Sequence, residues 1–140
     1  MSLATLPAWA HDLILDQRVA RLAFVDDDER PRVLPVTFGV IGNAVWSAID
    51  QKPKRTAEPA RVRWLRRRPN AALCVDVYED DWSRLAWVQL LGTVEVLGVD
   101  RGPEAVEALT SRYPQYRHRP PPGPLLRLEV ERALCWRAAA

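Results

Sequence analysis

The chain has 140 residues, of which 48% are apolar, and its formal net charge is +2. This length suits one domain that buries roughly two-thirds of its unfolded surface, so we predict a single domain over residues 1–140. No stretch approaches the roughly 20 apolar residues of a membrane span, and residues 1–16 lack the pattern of a secretory signal. The two isolated cysteines are typical of buried thiols, which indicates a cytoplasmic protein.

Apolar periodicity divides the chain into short strands and helices. In chain order the predicted elements are the helix Pro7–Gln17, the strands Val19–Val25, Arg32–Ile41 and Ala44–Asp50, the helix Pro59–Arg68, the strands Ala71–Tyr78 and Leu85–Val99, the helix Gly102–Tyr113, the proline-rich loop Pro114–Pro124 and the strand Leu125–Val130. These six strands and short helices predict a mainly β (α+β) fold. We expect a six-stranded antiparallel barrel, closed or split, because an open sheet would leave edges to protect.

Turn residues and strand-breaking residues inside this pattern indicate local geometry. Gly42-Asn43 is a two-residue turn signal, so the second and third strands are predicted to form a hairpin. Pro35 removes one backbone donor from its strand, which indicates an edge strand, a bulge or a backbone that faces a ligand. Gly92 interrupts the longest strand and predicts a bend or bulge there.

The third strand leads directly into a basic segment that contains Lys52, Lys54 and Arg55. Ammonium and guanidinium groups held at the rim of a sheet are suited to binding a phosphate. A solvated basic loop is the alternative for these residues alone. The block from Lys52 to Arg68 carries eight cations against one acid, so a nucleic-acid contact is another alternative. No nucleic-acid-binding motif accompanies the block, and we expect no nucleic-acid partner.

The sequence shows no catalytic residues of its own. It has no nucleophile–base pattern, no glycine-rich phosphate loop and no metal-ligand spacing, so we predict neither catalytic side chains nor a metal. Any chemistry would then belong to a bound cofactor. Trp46, Trp82 and Trp87 fall in the region expected around a site, where aromatic rings suit a planar ligand. The alternative is that such tryptophans pack in the core or at a dimer interface.

Six segments of the chain share their order and spacing with one known family. They are Arg30–Phe38, Asp50–Arg55, Leu65–Pro69, Asp80–Leu85, Val88–Glu95 and Tyr113–Arg117. On these segments the chain resembles the pyridoxamine 5'-phosphate oxidase-like family of flavin and deazaflavin split barrels, and within it the F420-dependent branch. The resemblance extends over nearly the whole chain.

The resemblance implies a homodimer of split β-barrels, with the cofactor bound across the subunit interface. It also implies an oxidoreductase in which reduced F420 delivers a hydride to a small unsaturated substrate. An FMN-dependent oxidase or reductase of the same fold is the closest alternative. A carrier or sensor that binds the cofactor without turnover is a second alternative.

The same resemblance assigns the cofactor contacts to particular residues. They are Pro35, Val36 and Thr37 along the ring, Ser47, Ala48 and Ile49 along the ribityl chain, Lys52, Lys54 and Arg55 at the phosphate, and Trp82 and Trp87 around the pocket. Arg61 and Arg63 are secondary candidates for the phosphate. The arginines from Arg61 to Arg68 are candidates for a basic groove that holds the oligoglutamate tail of F420.

Overall fold

The computed structural model describes residues 1–49 and 58–139. Its seven strands are β1 Ala20–Val25, β2 Pro31–Val36, β3 Gly39–Ile41, β4 Ala44–Ala48, β5 Asn70–Val77, β6 Ala86–Leu97 and β7 Leu125–Arg137. The α-helices of the described residues are α1 Ala8–Asp16, α2 Ala60–Arg67, α3 Pro103–Arg112 and α4 Pro114–His118.

All seven strands belong to one antiparallel sheet with the order β2-β1-β5-β6-β7-β4-β3. The strands β2 and β3 are therefore the two outer strands, yet only Thr37 and Phe38 separate them along the chain. Such a link spans at most about 11 Å, so the two edges of the sheet meet there and the sheet must curl into a barrel. The barrel is split at this point, because β2 pairs with β1 and β3 pairs with β4.

The predicted strand Arg32–Ile41 is in fact two strands, and the sheet therefore has seven strands instead of the predicted six. At the break, the Phe38 N–H donates to the Tyr113 hydroxyl oxygen at 3.0 Å, where a neighbouring strand would otherwise accept it. The mainly β antiparallel fold class is confirmed. The hairpin predicted across Gly42-Asn43 forms, but only between β3 and β4.

Two predicted boundaries in the second half of the chain were wrong. The final strand, which we expected to end at Val130, continues to Arg137 and pairs with β6 along its length. The stretch predicted as a proline-rich loop begins with α4, because Pro114 fits the first turn of a helix, where no backbone donor is needed. Pro35 lies on the outer strand β2, one of the positions that a strand proline favours.

The two longest strands, β6 and β7, change register between Leu91 and Gly92. This irregularity is the bulge that Gly92 predicted. A Cβ atom at Gly92 would lie 1.8 Å from the carbonyl oxygen of Glu129, so the two backbones approach more closely than any side chain permits. Glycine is therefore required where the strand bends.

The main core contains the inward-facing residues of the strands together with apolar residues of α1 and α2. Val62 and Leu65 of α2 are fully buried there. A second core lies where α3 contacts β3, and it contains Trp46, Leu109 and Tyr113. No helix within residues 1–49 and 58–139 has the length and apolar character that crossing a membrane demands.

Candidate functional site

A cleft of about 150 Å³ opens beside the split between the two edges of the barrel. Most of its lining residues lie at the end of β2, at the end of β4 and at the start of α2. Six of them are the predicted cofactor contacts Pro35, Val36, Thr37, Ser47, Ala48 and Ile49. The other four are Val19, Leu34, Arg61 and Leu126. The fold therefore brings together all six strand residues that the resemblance assigned to the ring and the ribityl chain.

The two walls of the cleft are joined by a short hydrogen bond. The Ser47 hydroxyl, at the end of β4, donates to the Thr37 carbonyl oxygen at 2.6 Å. The strand β2 forms the other wall, and among the described strands it pairs only with β1. Its free edge presents unpaired backbone groups of the kind that a ligand uses. Pro35 leaves one position on this edge without a donor.

Arg61 brings positive charge to the cleft from the first turn of α2. Across residues 1–49 and 58–139, its guanidinium makes no ion pair. The arginines later in α2 are engaged, because Arg66 contacts Glu58 at 2.7 Å and Arg67 contacts Asp27 at 3.0 Å. Within the described part of the chain, Arg61 is thus the arginine of this helix that lines the cleft and makes no ion pair.

The remaining cations of the predicted phosphate site are distributed differently. Lys52, Lys54 and Arg55 lie outside the described residues, and their assignment stays a prediction. The secondary candidate Arg63 is exposed and donates to the main-chain oxygen of Glu58 at 2.8 Å. Arg63 therefore does not line the cleft, whereas Arg61 does.

The three tryptophans of the predicted site region lie in three different environments, none of them in the cleft. Trp82 is 67% exposed on a short turn between β5 and β6. Trp87 lies directly opposite Trp136 in the β6–β7 pairing, on the outside of the barrel. Trp46 is buried in the second core. Contact of Trp82 or Trp87 with a cofactor remains a prediction, because neither side chain lines this cleft.

A larger and shallower groove of about 390 Å³ runs between α1 and the neighbouring ends of β5, β6 and β7. In this groove Arg84 contacts Glu79 at 3.0 Å and Arg137 lies over the Trp9 ring at 5.1 Å, while Asp12 and Asp16 form no ion pair among the described residues. None of the described residues that we predicted as cofactor contacts lines it. The smaller cleft is the better candidate, because the predicted contacts and the guanidinium of Arg61 converge there.

Two tyrosines that the residue patterns did not single out contact the wall of the cleft. The Tyr116 hydroxyl lies 2.8 Å from Thr37 Oγ1. The Tyr113 hydroxyl lies 3.0 Å from the Phe38 nitrogen and 3.1 Å from the Phe38 carbonyl oxygen. Buried tyrosines need partners for their hydroxyl groups, but the burial of these two is a property of the fold and was not predicted from the sequence. The sequence does not say which partners they take.

The donor set of the cleft fits the polar edge and the anionic group of a flat cofactor. Thr37 offers a hydroxyl, Arg61 a guanidinium and β2 a free backbone edge, while Leu34 and Leu126 provide apolar contact. The volume of about 150 Å³ is well below the roughly 300–1,000 Å³ typical of small-molecule sites. The described residues of one chain therefore enclose only part of such a ligand.

A curled antiparallel sheet that is split where its outer strands meet, with a cleft beside the split, defines a split-barrel protein. The family model described as pyridoxamine 5'-phosphate oxidase matches residues 6–137. The chain belongs to this family.

Solved structures of similar fold come from several bacteria. A conserved hypothetical protein from Mycobacterium tuberculosis is 21% identical with a TM-score of 0.73, over 98% of this chain and 85% of that one. A FAD-binding protein from Mesorhizobium loti is 17% identical with a TM-score of 0.68, over 93% and 94%. A heme storage protein from Vibrio cholerae is 14% identical with a TM-score of 0.74, over 98% and 95%. No curated protein matches the sequence.

Proposed function

We propose that this protein is an oxidoreductase that binds F420 in the cleft and transfers a hydride between this deazaflavin and a small unsaturated substrate. The observation that carries the proposal is the convergence of Pro35–Thr37, Ser47–Ile49 and Arg61 on one cleft. The deazaflavin supplies the hydride when bound. The protein supplies affinity, orientation and exclusion of water.

Each part of the cofactor has a counterpart among the residues of the chain. The free edge of β2 faces the polar edge of the ring, and Arg61 adds to the basic segment that holds the phosphate. The ion pairs of Arg66 and Arg67 are exposed on both sides, and such pairs are worth only about 0–1 kcal/mol. An oligoglutamate tail can therefore replace Glu58 and Asp27 as their partner at little cost. This exchange favours F420 over FMN.

The alternatives differ in the bound group or in its use. FMN shares the ring shape and the phosphate, and a FAD-binding protein is among the similar structures. A carrier that does not turn over would use the same cleft, whose described lining contains no carboxylate or imidazole. A heme-binding role, as in the Vibrio cholerae protein, gains no support here, because neither His11 nor His118 lines the cleft.

The cofactor proposal is tested by titrating the purified protein with F420 and, separately, with FMN, while fluorescence is followed. We expect F420 to bind more tightly than FMN, by up to about fivefold for each exposed arginine that its tail contacts, because such a contact is worth about 0–1 kcal/mol. Tighter binding of FMN would make the protein a flavin enzyme, and binding of neither would remove the enzyme proposal. If F420 binds, oxidation of its reduced form by a panel of unsaturated acceptors separates an enzyme from a carrier.

We also propose that the protein is a homodimer joined through the outer face of the sheet. The pairing of β1, β5, β6 and β7 places one set of residues on this face: Arg21, Ala23, Ala72, Cys74, Asp76, Trp87, Gln89, Leu91, Arg132, Leu134 and Trp136. Most are apolar, and none belongs to the two cores. The face adjoins the cleft, because Pro35 pairs with Arg21. A second copy on this face would enlarge a site that is small in one chain and would bring Trp87 to the interface.

Light scattering tests the dimer. At micromolar concentration we expect a mass of about twice the 15.9 kDa of one chain. Leu134→Glu places a charge on the outer face and is expected to yield the single-chain mass, because an unpaired charge is costly in an apolar interface. Leu15→Glu, on an exposed position of α1, is the control and should remain dimeric. A wild-type protein with the single-chain mass would contradict the proposal.

A further inference from the structure

We propose that Arg112 is a positioning residue that fixes one wall of the cleft through Tyr113. The two residues lie at the C-terminal end of α3, and their side chains are joined by a hydrogen bond. Together they hold the link from α1 to β1 (residues 17–19) against the corner between β2 and β3. The effect on cofactor binding rests on the proposed function, whereas the effect on the wall itself does not.

This wall lies beyond the strand pairing that supports the sheet next to it. The β1–β2 pairing ends where Ala20 lies opposite Val36. Val19 and Thr37, one residue beyond each of these, line the cleft and belong to no strand. Hydrogen bonds from side chains therefore take over at the point where the strand pairing stops.

The Tyr113 hydroxyl makes hydrogen bonds whose directions are fixed by the chemistry of its partners. It accepts from the Phe38 N–H at 3.0 Å and from Arg112 Nε at 3.1 Å, because both nitrogens are donors only. These two bonds fill both acceptor positions of a hydroxyl. Its single proton is then directed to a carbonyl oxygen, either that of Arg18 at 2.9 Å or that of Phe38 at 3.1 Å. The buried hydroxyl is therefore fully engaged and joins Arg18, beside Val19, to Phe38, beside Thr37.

Arg112 orients this hydroxyl with a guanidinium that is itself held on two sides. Its Nη2 donates to the carbonyl oxygen of Gln17 and, at 3.4 Å, to that of Ile14. Both oxygens lie at the C-terminal end of α1, where carbonyl groups lack partners within the helix. The guanidinium also lies over the fully buried Phe38 ring, 4.7 Å from its centroid. Arg112 thus connects the end of α1 with the corner between β2 and β3.

The substitution Arg112→Lys separates a positioning role from an effect of charge. It keeps the positive charge, so any general attraction for an anionic cofactor is retained. It removes the planar guanidinium, which donates in several fixed directions and stacks on a ring. A positioning role therefore predicts a loss in Arg112→Lys, whereas an effect of charge alone predicts none.

Hydrogen exchange of backbone amides, followed by NMR without any cofactor, tests the wall itself. The Phe38 amide should exchange about two- to tenfold faster in Arg112→Lys, the range expected when one hydrogen bond is weakened. The amides of Val88 and Leu90, in the middle of β6, should keep the wild-type rate. Tyr113→Phe removes the acceptor of the Phe38 amide, so it should have at least the same effect and decides the case if Arg112→Lys does not fold. An unchanged Phe38 rate, or an equal increase at all three amides, would overturn the proposal.

The second measurement gives the dissociation constant and the absorption maximum of bound F420 and, separately, of bound FMN. Arg112→Lys should weaken the binding of both about two- to tenfold and should shift the maximum, because the wall that faces the ring is no longer fixed. Arg117→Lys is the matched control. Arg117 also donates to two main-chain oxygens, those of Thr110 and Ser111, but it does not line the cleft or contact Tyr113 through a printed sequence neighbour of the wall. Its substitution should leave affinity and spectrum unchanged.

The outcomes distinguish a failure of this inference from a failure of the proposed function. A wild-type protein that binds neither cofactor overturns the proposed function, and the exchange rate of the Phe38 amide then decides the positioning role by itself. Wild-type binding together with unchanged affinity and spectrum in Arg112→Lys overturns the inference alone. An equal loss of affinity in Arg117→Lys would show that any α3–α4 arginine has this effect, which also overturns it.

Discussion

The substitution Gly92→Ala is expected to lower the free energy of unfolding by at least about 3 kcal/mol. The added Cβ would lie 1.8 Å from the Glu129 carbonyl oxygen and 2.9 Å from its carbonyl carbon. Both are backbone atoms, so no side-chain rotation relieves the overlap. The strands must separate at the bulge, within a pairing that extends from Ala86 opposite Arg137 to Leu97 opposite Leu125. Urea denaturation followed by tryptophan fluorescence measures the loss.

Gly39→Ala is the matched control for this change. A Cβ at Gly39 would meet Leu109 Cδ2 at 3.7 Å and Ala108 Cβ at 3.9 Å, which are ordinary contacts. We expect a change within about 1 kcal/mol, because the loss of unfolded-state entropy is of that size. If Gly92→Ala were no more damaging than Gly39→Ala, the close approach of β6 and β7 at the bulge would be contradicted.

The largest expected effect on binding comes from replacing Lys52 and Lys54 together by Ala. Each charged hydrogen bond to a phosphate is worth about 1.5–3 kcal/mol, so the pair should weaken binding of both FMN and F420 by at least about tenfold. Isothermal titration calorimetry at fixed ionic strength gives the two dissociation constants. A change of less than about threefold in both would contradict the assignment of these cations to the phosphate.

A double variant with the same change in net charge provides the control. Arg66→Ala/Arg67→Ala also removes two positive charges, but from exposed ion pairs on α2. We expect FMN affinity to change less than about threefold, because distant exposed charges are screened. F420 affinity should fall further than FMN affinity if these arginines hold its tail. Equal losses for both double variants with FMN would mean that the binding depends on net charge alone.

Patterns that act over a few residues predicted most of the fold. Period-two alternation located the strands, the Gly42-Asn43 dipeptide located one hairpin, and Gly92 located the bulge. The break after Val36 could not be found this way, because apolar alternation continues across it. The partner that satisfies the Phe38 N–H is Tyr113, which lies 75 residues away in the sequence. A hydrogen bond of that separation exists only once the chain has folded.

The candidate site was predictable to a similar extent. The resemblance named the six strand residues of the cleft, and the charge pattern included Arg61. Successive side chains of a strand point to opposite faces of the sheet. Because Val88 is fully buried, its neighbour Trp87 must face outward. The Tyr116 hydroxyl of α4 contacts Thr37 Oγ1 at the corner between β2 and β3. That contact joins distant parts of the chain, and no local pattern reports it.

The two walls of the cleft belong to hairpins at opposite ends of one sheet. The Ser47 hydroxyl joins these walls at the split, and the Tyr113 and Tyr116 hydroxyls contact the corner between β2 and β3 beside it. The barrel therefore combines seven continuously paired strands with a split that is held by a few hydroxyl groups. The shape of the cleft therefore depends on single side-chain contacts, whereas the sheet around it depends on backbone pairing.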